Sequence, residues 1–163
     1  MTTLVAIDPG PEESAFVVFV DGAPTSFGKK ANLELLLPLA RLVETNPEAM
    51  LVLEMIASYG MPVGAPVFQT CVWIGRFVQI WTSHGGTHAL ITRQEVKLEL
   101  CGNRAAKGAN IRQALIDRFG PDKGKAIGVK KTPGPLYGVK DDVWSALAVG
   151  VAYSAITARS KAA

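Results

Sequence analysis

Met50-Leu-Val-Leu-Glu-Met-Ile56 is an apolar run broken by one charge, Glu54. A strand this apolar on both faces needs cover on both sides, as strands of a parallel sheet have. Reading back from it, Asn32 is placed to cap a helix through Glu44 that carries six leucines, with Pro38 expected to bend or split it. Before that lie three β-rich runs: Thr3–Ile7, stopped by Asp8-Pro9-Gly10, then Ser14–Val20, the Asp21-Gly22 turn, and the weaker Ala23–Gly28. Reading forward, a Gly/Pro-rich loop, Ser58–Pro66, leads into a helix over Val67–Ser83 that Gly85-Gly86 ends. Thr87–Thr92 reads as a strand, and Arg93–Leu100 and Lys107–Phe119 as helices closed by Gly102 and Gly120-Pro121. Residues 121–140 hold five Lys, four Gly and three Pro without apolar periodicity, and read as a mobile loop. Asp141–Arg159 reads as an Ala-rich last helix, with 160–163 a disordered tail. The order βββαβαβ followed by helices predicts one α/β domain over 1–163. The right-handed crossover rule sets strand 4 beside strand 1 and parallel to it, giving a five-stranded mixed sheet in the order 3-2-1-4-5 flanked by helices.

The chain has 163 residues, 48 % of them apolar and 19 % charged, which excludes disorder as the dominant state. Its net charge of +3 is uneven: residues 93–131 carry ten Lys/Arg against four Asp/Glu, and the rest seven against ten. A basic segment set against acids elsewhere points to a polyanion partner, with a solvated basic face as the alternative. The longest apolar stretch, around Val67–Trp81, is interrupted by Gln69, Thr70, Arg76 and Gln79, so no membrane partner is expected. The N-terminus lacks the positive region of a signal peptide. Cys71 and Cys101 are isolated and are expected to be reduced. These features predict an intracellular chain.

Three acidic positions stand out. Asp8 closes the first strand, Glu54 sits within the fourth, and Asp141 and Asp142 open the last helix. With strands 1 and 4 adjacent, Asp8 and Glu54 lie side by side. Ionised carboxylates in a core strand cost several kcal/mol unless they are paired, and a divalent cation relieves both the burial and the repulsion. The alternatives are a turn former at Asp8 and N-caps at Asp141 and Asp142. Carboxylates without His or Cys suit hard cations such as Mg²⁺ or Mn²⁺, and cations so held can assist phosphodiester hydrolysis.

These residues resemble the ribonuclease H-like superfamily, and within it the RuvC-type Holliday junction resolvases, particularly small phage-encoded ones. The resemblance spans nearly the whole chain: Ala6-Ile-Asp-Pro-Gly10, Leu51–Gly64, Val67–Phe77, Val96–Gly120 and Asp141–Gly150. It implies a ribonuclease H-like fold and a Mg²⁺-dependent endonuclease, with two ions expected and Mn²⁺ as a substitute. Asp8, Glu54 and Asp142 would hold the metal, with Asp141 as a further ligand. The family commonly has a second Asp three residues after the first acid of the last helix; here Ser145 takes that place. Lys107 corresponds to the basic residue near the scissile phosphate, and Lys97, Arg104 and Arg112 to backbone contacts. Lys130 and Lys131 join the expected DNA-binding set. Phe68 and Tyr59 are stacking candidates, with core packing as the alternative for Phe68; Trp73 and Trp81 read as core or dimer interface. The implied partners are branched DNA with a four-way junction and a second copy of the chain, in the cytoplasm of a bacterium or an infected host cell. The alternatives are another ribonuclease H-like nuclease, acting on flaps, hybrids or packaging intermediates, and a branched-DNA-binding module with impaired catalysis. An actin-like ATPase or sugar kinase also begins on an Asp-containing strand, but the second phosphate-binding motif and second domain are missing.

Overall fold

The computed structural model describes all 163 residues. Three strands open the chain: β1 (Thr3–Asp8), β2 (Glu13–Val20) and β3 (Ala23–Ala31). Helix α1 (Asn32–Thr45), β4 (Met50–Met55), α2 (Ala65–Ser83) and β5 (Thr87–Thr92) follow. The sheet order is β3-β2-β1-β4-β5. The first three strands pair antiparallel, and β4 runs parallel to both β1 and β5. The chain continues through α3 (Arg93–Cys101), α4 (Gly108–Phe119), the single turn α5 (Lys123–Ala126) and a two-stranded ribbon of β6 (Gly128–Val129) and β7 (Thr132–Pro133). It closes with α6 (Val143–Ala162). No helix is long and apolar enough to cross a membrane.

The apolar run in β4 follows from cover on both faces. Val5, Ile7, Leu51 and Leu53 pack against Leu35, Leu39 and Val43 of α1 and Phe77 and Trp81 of α2. The alternate positions Ala6, Val52, Ala15, Val17, Phe19 and Ile91 meet α6 through Ala146, Leu147, Val149 and Val151. The small side chains of α6 let it lie close to the sheet; at Gly150 a Cβ would run into the Phe19 ring.

Four expectations need correction. Asn32 does not cap α1: Ala31 holds that position, and the Asn32 side chain turns inward to Ser14 and Gly10. The helix also continues through Pro38. Glu34 and Pro38 are both exposed, so water can satisfy the carbonyl that the missing N–H leaves free. Residues 121–140 are ordered rather than mobile: Ala126 and Leu136 are fully buried, and the Leu136 N–H donates to the Ala126 carbonyl at 2.9 Å. Finally, α6 begins at Val143 and runs to Ala162, so most of the expected disordered tail is helical. Asp141 has φ of 47°, which keeps it out of the helix.

The folded 121–140 segment depends on Gly134, where a Cβ would overlap the carbonyl oxygens of Lys125 and Ala126. Gly134→Ala is expected to lower unfolding free energy in urea by about 1–3 kcal/mol, with faster hydrogen exchange at the Leu136 amide.

Candidate active site

The register of the sheet brings the acids together. Ile7 pairs with Leu53, so Asp8 and Glu54 follow each other on adjacent parallel strands. Both share the face of Ala6 and Val52, toward α6. Asp8 pairs with Ala15, and Ala15 with Lys29, on that same face. A row of Lys29, Asp8 and Glu54 therefore crosses one end of the sheet. Arg93 stands next to it, directly after β5, and the start of α6 brings Asp142 and Ser145 over it.

A buried lock holds the turn after Asp8. The Ser14 hydroxyl donates to Asn32 Oδ1 at 2.6 Å, the Gly10 N–H donates to Ser14 Oγ at 3.1 Å, and Asn32 Nδ2 donates to the Gly10 carbonyl at 2.9 Å. Ser14 and Asn32 are each 1 % exposed, so the bond between them is shielded from water, while the two bonds to Gly10 are partly buried. A Cβ at Gly10 would strike the Glu13 carbonyl oxygen, which explains glycine in the Asp8-Pro9-Gly10 turn.

Burial and then the neighbouring Glu54 charge push the Asp8 carboxyl from 3.8 up to about 7; Asp142 adds to the rise, and Arg93 and Lys29 oppose it. Burial also raises Glu54, against the pull of Arg93 and Lys97. The Glu54 side chain is 15 % exposed; its Oε1 lies 3.3 Å from Arg93 Nε. Its other oxygen, Oε2, is buried without any hydrogen-bond partner. Arg93 also donates from Nη1 to Ser145 Oγ at 3.3 Å. At the other end of the row, Lys29 Nζ donates to Asp142 Oδ2 at 2.7 Å and lies 3.7 Å from Glu13. The bond to Asp142 raises Lys29 above the usual lysine value. Asp142 occupies the N-cap position of α6 but makes no capping bond with its side chain.

An unpartnered buried carboxylate oxygen beside an acid that resists ionisation is what a hard divalent cation relieves, and the all-oxygen donor set suits Mg²⁺ or Mn²⁺. As the side chains stand, no three acidic, His or Cys groups converge closely enough to hold an ion. Arg93 pairs with Glu54 and Lys29 with Asp142.

Of the other expected residues, Asp141, Arg112 and Lys97 adjoin this centre. Asp141 is exposed and lines a cleft of about 250 Å³ with Arg93, Gly108, Ile111, Arg112, Trp144 and Ser145. The Arg112 guanidinium lies 4.7 Å above the centroid of the Trp144 ring. Lys107 caps α4, with its N–H donating to Asn110 Oδ1 at 2.9 Å and its side chain exposed. Lys97 lies close enough to act on the Glu54 charge, while Arg104 acts on Glu95. Lys130 and Lys131 form the exposed turn between β6 and β7. Phe68 is 61 % exposed and Tyr59 53 %, so core packing of Phe68 is overturned: it sits on the open side of the first turn of α2. Trp81 is core, and Trp73 is half-buried beside Phe77 with the Arg76 guanidinium 4.1 Å from its ring centroid.

Arg93, Lys29 and the Ser14–Asn32 lock were not singled out in the sequence. The one available signal is position: Arg93 directly follows β5, level with the end of the strand that holds Glu54.

The chain shares its fold with RuvC of Thermus thermophilus. One structure of that protein matches with a TM-score of 0.72 at 13 % identity, covering 97 % of this chain and 96 % of the other. A second, described as T. thermophilus RuvC in complex with Holliday junction substrate, matches with a TM-score of 0.73 at 12 % identity, covering 98 % and 97 %. No family model matches the sequence, and no curated protein does. The expected five-stranded mixed sheet, in the order 3-2-1-4-5, is observed.

Because the folded state raises Asp8, it binds a proton that the unfolded chain has released between about pH 4 and 7, so stability falls as pH rises through that window. Without divalent cations, Asp8→Asn is expected to be more stable than wild type at pH 7.5, by on the order of 3 kcal/mol, and equal to it below pH 4. Chemical denaturation across this pH range checks the sign. Millimolar Mg²⁺ should shrink the difference.

Proposed function

We propose that this chain is a Holliday junction resolvase, a divalent-metal-dependent endonuclease that hydrolyses DNA phosphodiester bonds at four-way junctions. The observation that carries the reading is the side-by-side burial of Asp8 and Glu54 under the start of α6. The fold it shares, over nearly its whole length, with a protein solved on a Holliday junction supports the choice of substrate.

Asp8, Glu54 and Asp142 would hold the cation, with Asp141 beside them, and Mg²⁺ bound there supplies the positive charge that stabilises the phosphate undergoing hydrolysis. The chain's own residues do the remaining work. The Gly10–Ser14–Asn32 lock fixes the backbone turn that follows Asp8. Lys107 at the head of α4 and Arg112 against Trp144 flank the cleft beside the acids and would grip phosphates there. Lys97, Arg104, Lys130 and Lys131 would extend the basic surface along the DNA. Phe68 and Tyr59, exposed beyond the end of β4, are free to stack on unpaired bases, worth ~1–3 kcal/mol each.

Symmetric cleavage of two strands calls for two copies of the chain. The exposed Leu33 and Leu37 of α1 and Val72 of α2 lie on neighbouring helices and offer an apolar face for a homodimer. A second reading, a junction-binding module without hydrolysis, is favoured by one observation: Arg93 already satisfies part of Glu54 and bonds Ser145.

Glu54→Gln is expected to abolish junction cleavage while leaving junction binding near the wild-type level; wild-type chain that binds junctions in Mg²⁺ and yields no product would favour the second reading. Lys107→Ala and Arg112→Ala should each lower the slope of log affinity against log salt by about 1, measured by titrating a labelled junction at several salt concentrations. Val72→Glu should shift the chain toward monomer in sedimentation.

A further inference from the structure

We propose that Arg93 stands in for a second cation, so that the site takes one divalent ion per chain rather than two. This rests on the reading above that the acids hold a metal, and it departs from the two ions that the family resemblance implies. The guanidinium bridges the gap between β4 and the first turn of α6, with Nε 3.3 Å from Glu54 Oε1 and Nη1 3.3 Å from Ser145 Oγ. An ion shared by Glu54 and the residue at 145 would need that same space. Ser145 offers a neutral hydroxyl, which draws an ion far less than a carboxylate does.

The backbone that carries Arg93 is fixed. Arg93 is the first residue of α3, whose start is held by a capping box: the Thr92 N–H and hydroxyl each donate to Glu95 Oε2 at 2.7 Å, and the Glu95 N–H donates to Thr92 Oγ1 at 3.3 Å. Toward its other end, α3 is tied to α6 by Arg159 Nη2, 2.9 Å from Glu99 Oε2. A guanidinium also keeps its charge at any working pH.

Arg93 and Lys29 already answer one carboxylate each, Glu54 and Asp142, which lowers the positive charge that the acids still call for. The unpartnered Glu54 Oε2 stays available to the single ion, beside the carboxylates of Asp8 and Asp142.

Titration of the full chain with Mn²⁺, followed by electron paramagnetic resonance of the free ion, tests this. Wild type and Arg93→Lys are expected to saturate at one ion per chain, and Arg93→Gln combined with Ser145→Asp at two. Arg93→Gln alone should bind its single ion about tenfold tighter, since a like charge has gone. Two ions on wild type, or one on the double variant, would overturn the role of Arg93 while leaving the metal-centre reading intact. No ion on wild type would overturn both. Unchanged or weaker binding by Arg93→Gln also counts against the proposal, and that variant serves even where the double variant fails to fold.

Discussion

Two carboxylates on adjacent parallel strands, both turned toward the same helix, set the terms for everything around them. Burial raises the cost of ionising both Asp8 and Glu54, and the Glu54 charge raises it further at Asp8. The surrounding structure answers that cost in two places, Arg93 on Glu54 and Lys29 on Asp142, while a hydrogen-bond lock fixes the turn behind Asp8. Small residues in α6 allow its first turn to come near enough for Asp142 and Ser145 to join. The two hydrophobic layers hold the sheet rigid, so the acids cannot relax apart.

The same arrangement separates holding from reacting. Positive charge at the edges of the row stabilises a fold that would otherwise carry uncompensated buried acids. It also limits how much further positive charge the centre can accept. Farther out, Lys107, Arg112, Lys130 and Lys131 are solvated and unpaired by acids, so their fields reach a polyanion at full strength apart from salt screening.

What was legible in the sequence followed from local pattern. Glu54 stands out because a single charge interrupts an apolar run, and the strand order follows from the meander and the handedness of the crossover. Asp8 is legible as the end of a strand before Pro-Gly. What was not legible depends on partners distant in sequence. Asn32 has a capping residue's chemistry, yet Ser14, eighteen positions away, offers a buried partner that outweighs the helix start. Arg93 acquires a role only when β5 lies beside β4 and the start of α6 comes over that end of the sheet. Residues 121–140 lack periodicity because their order comes from Gly134 passing close over Ala126 and from Leu136 entering the core, neither of which repeats along the chain.

That ordered segment has a thermodynamic corollary. Lys130 and Lys131 are carried at the tip of a ribbon whose base is pinned by Leu136 and Ala126, so their backbone entropy is spent during folding. On the proposed reading, a polyanion arriving there meets an ordered ribbon and need not freeze a floppy loop first.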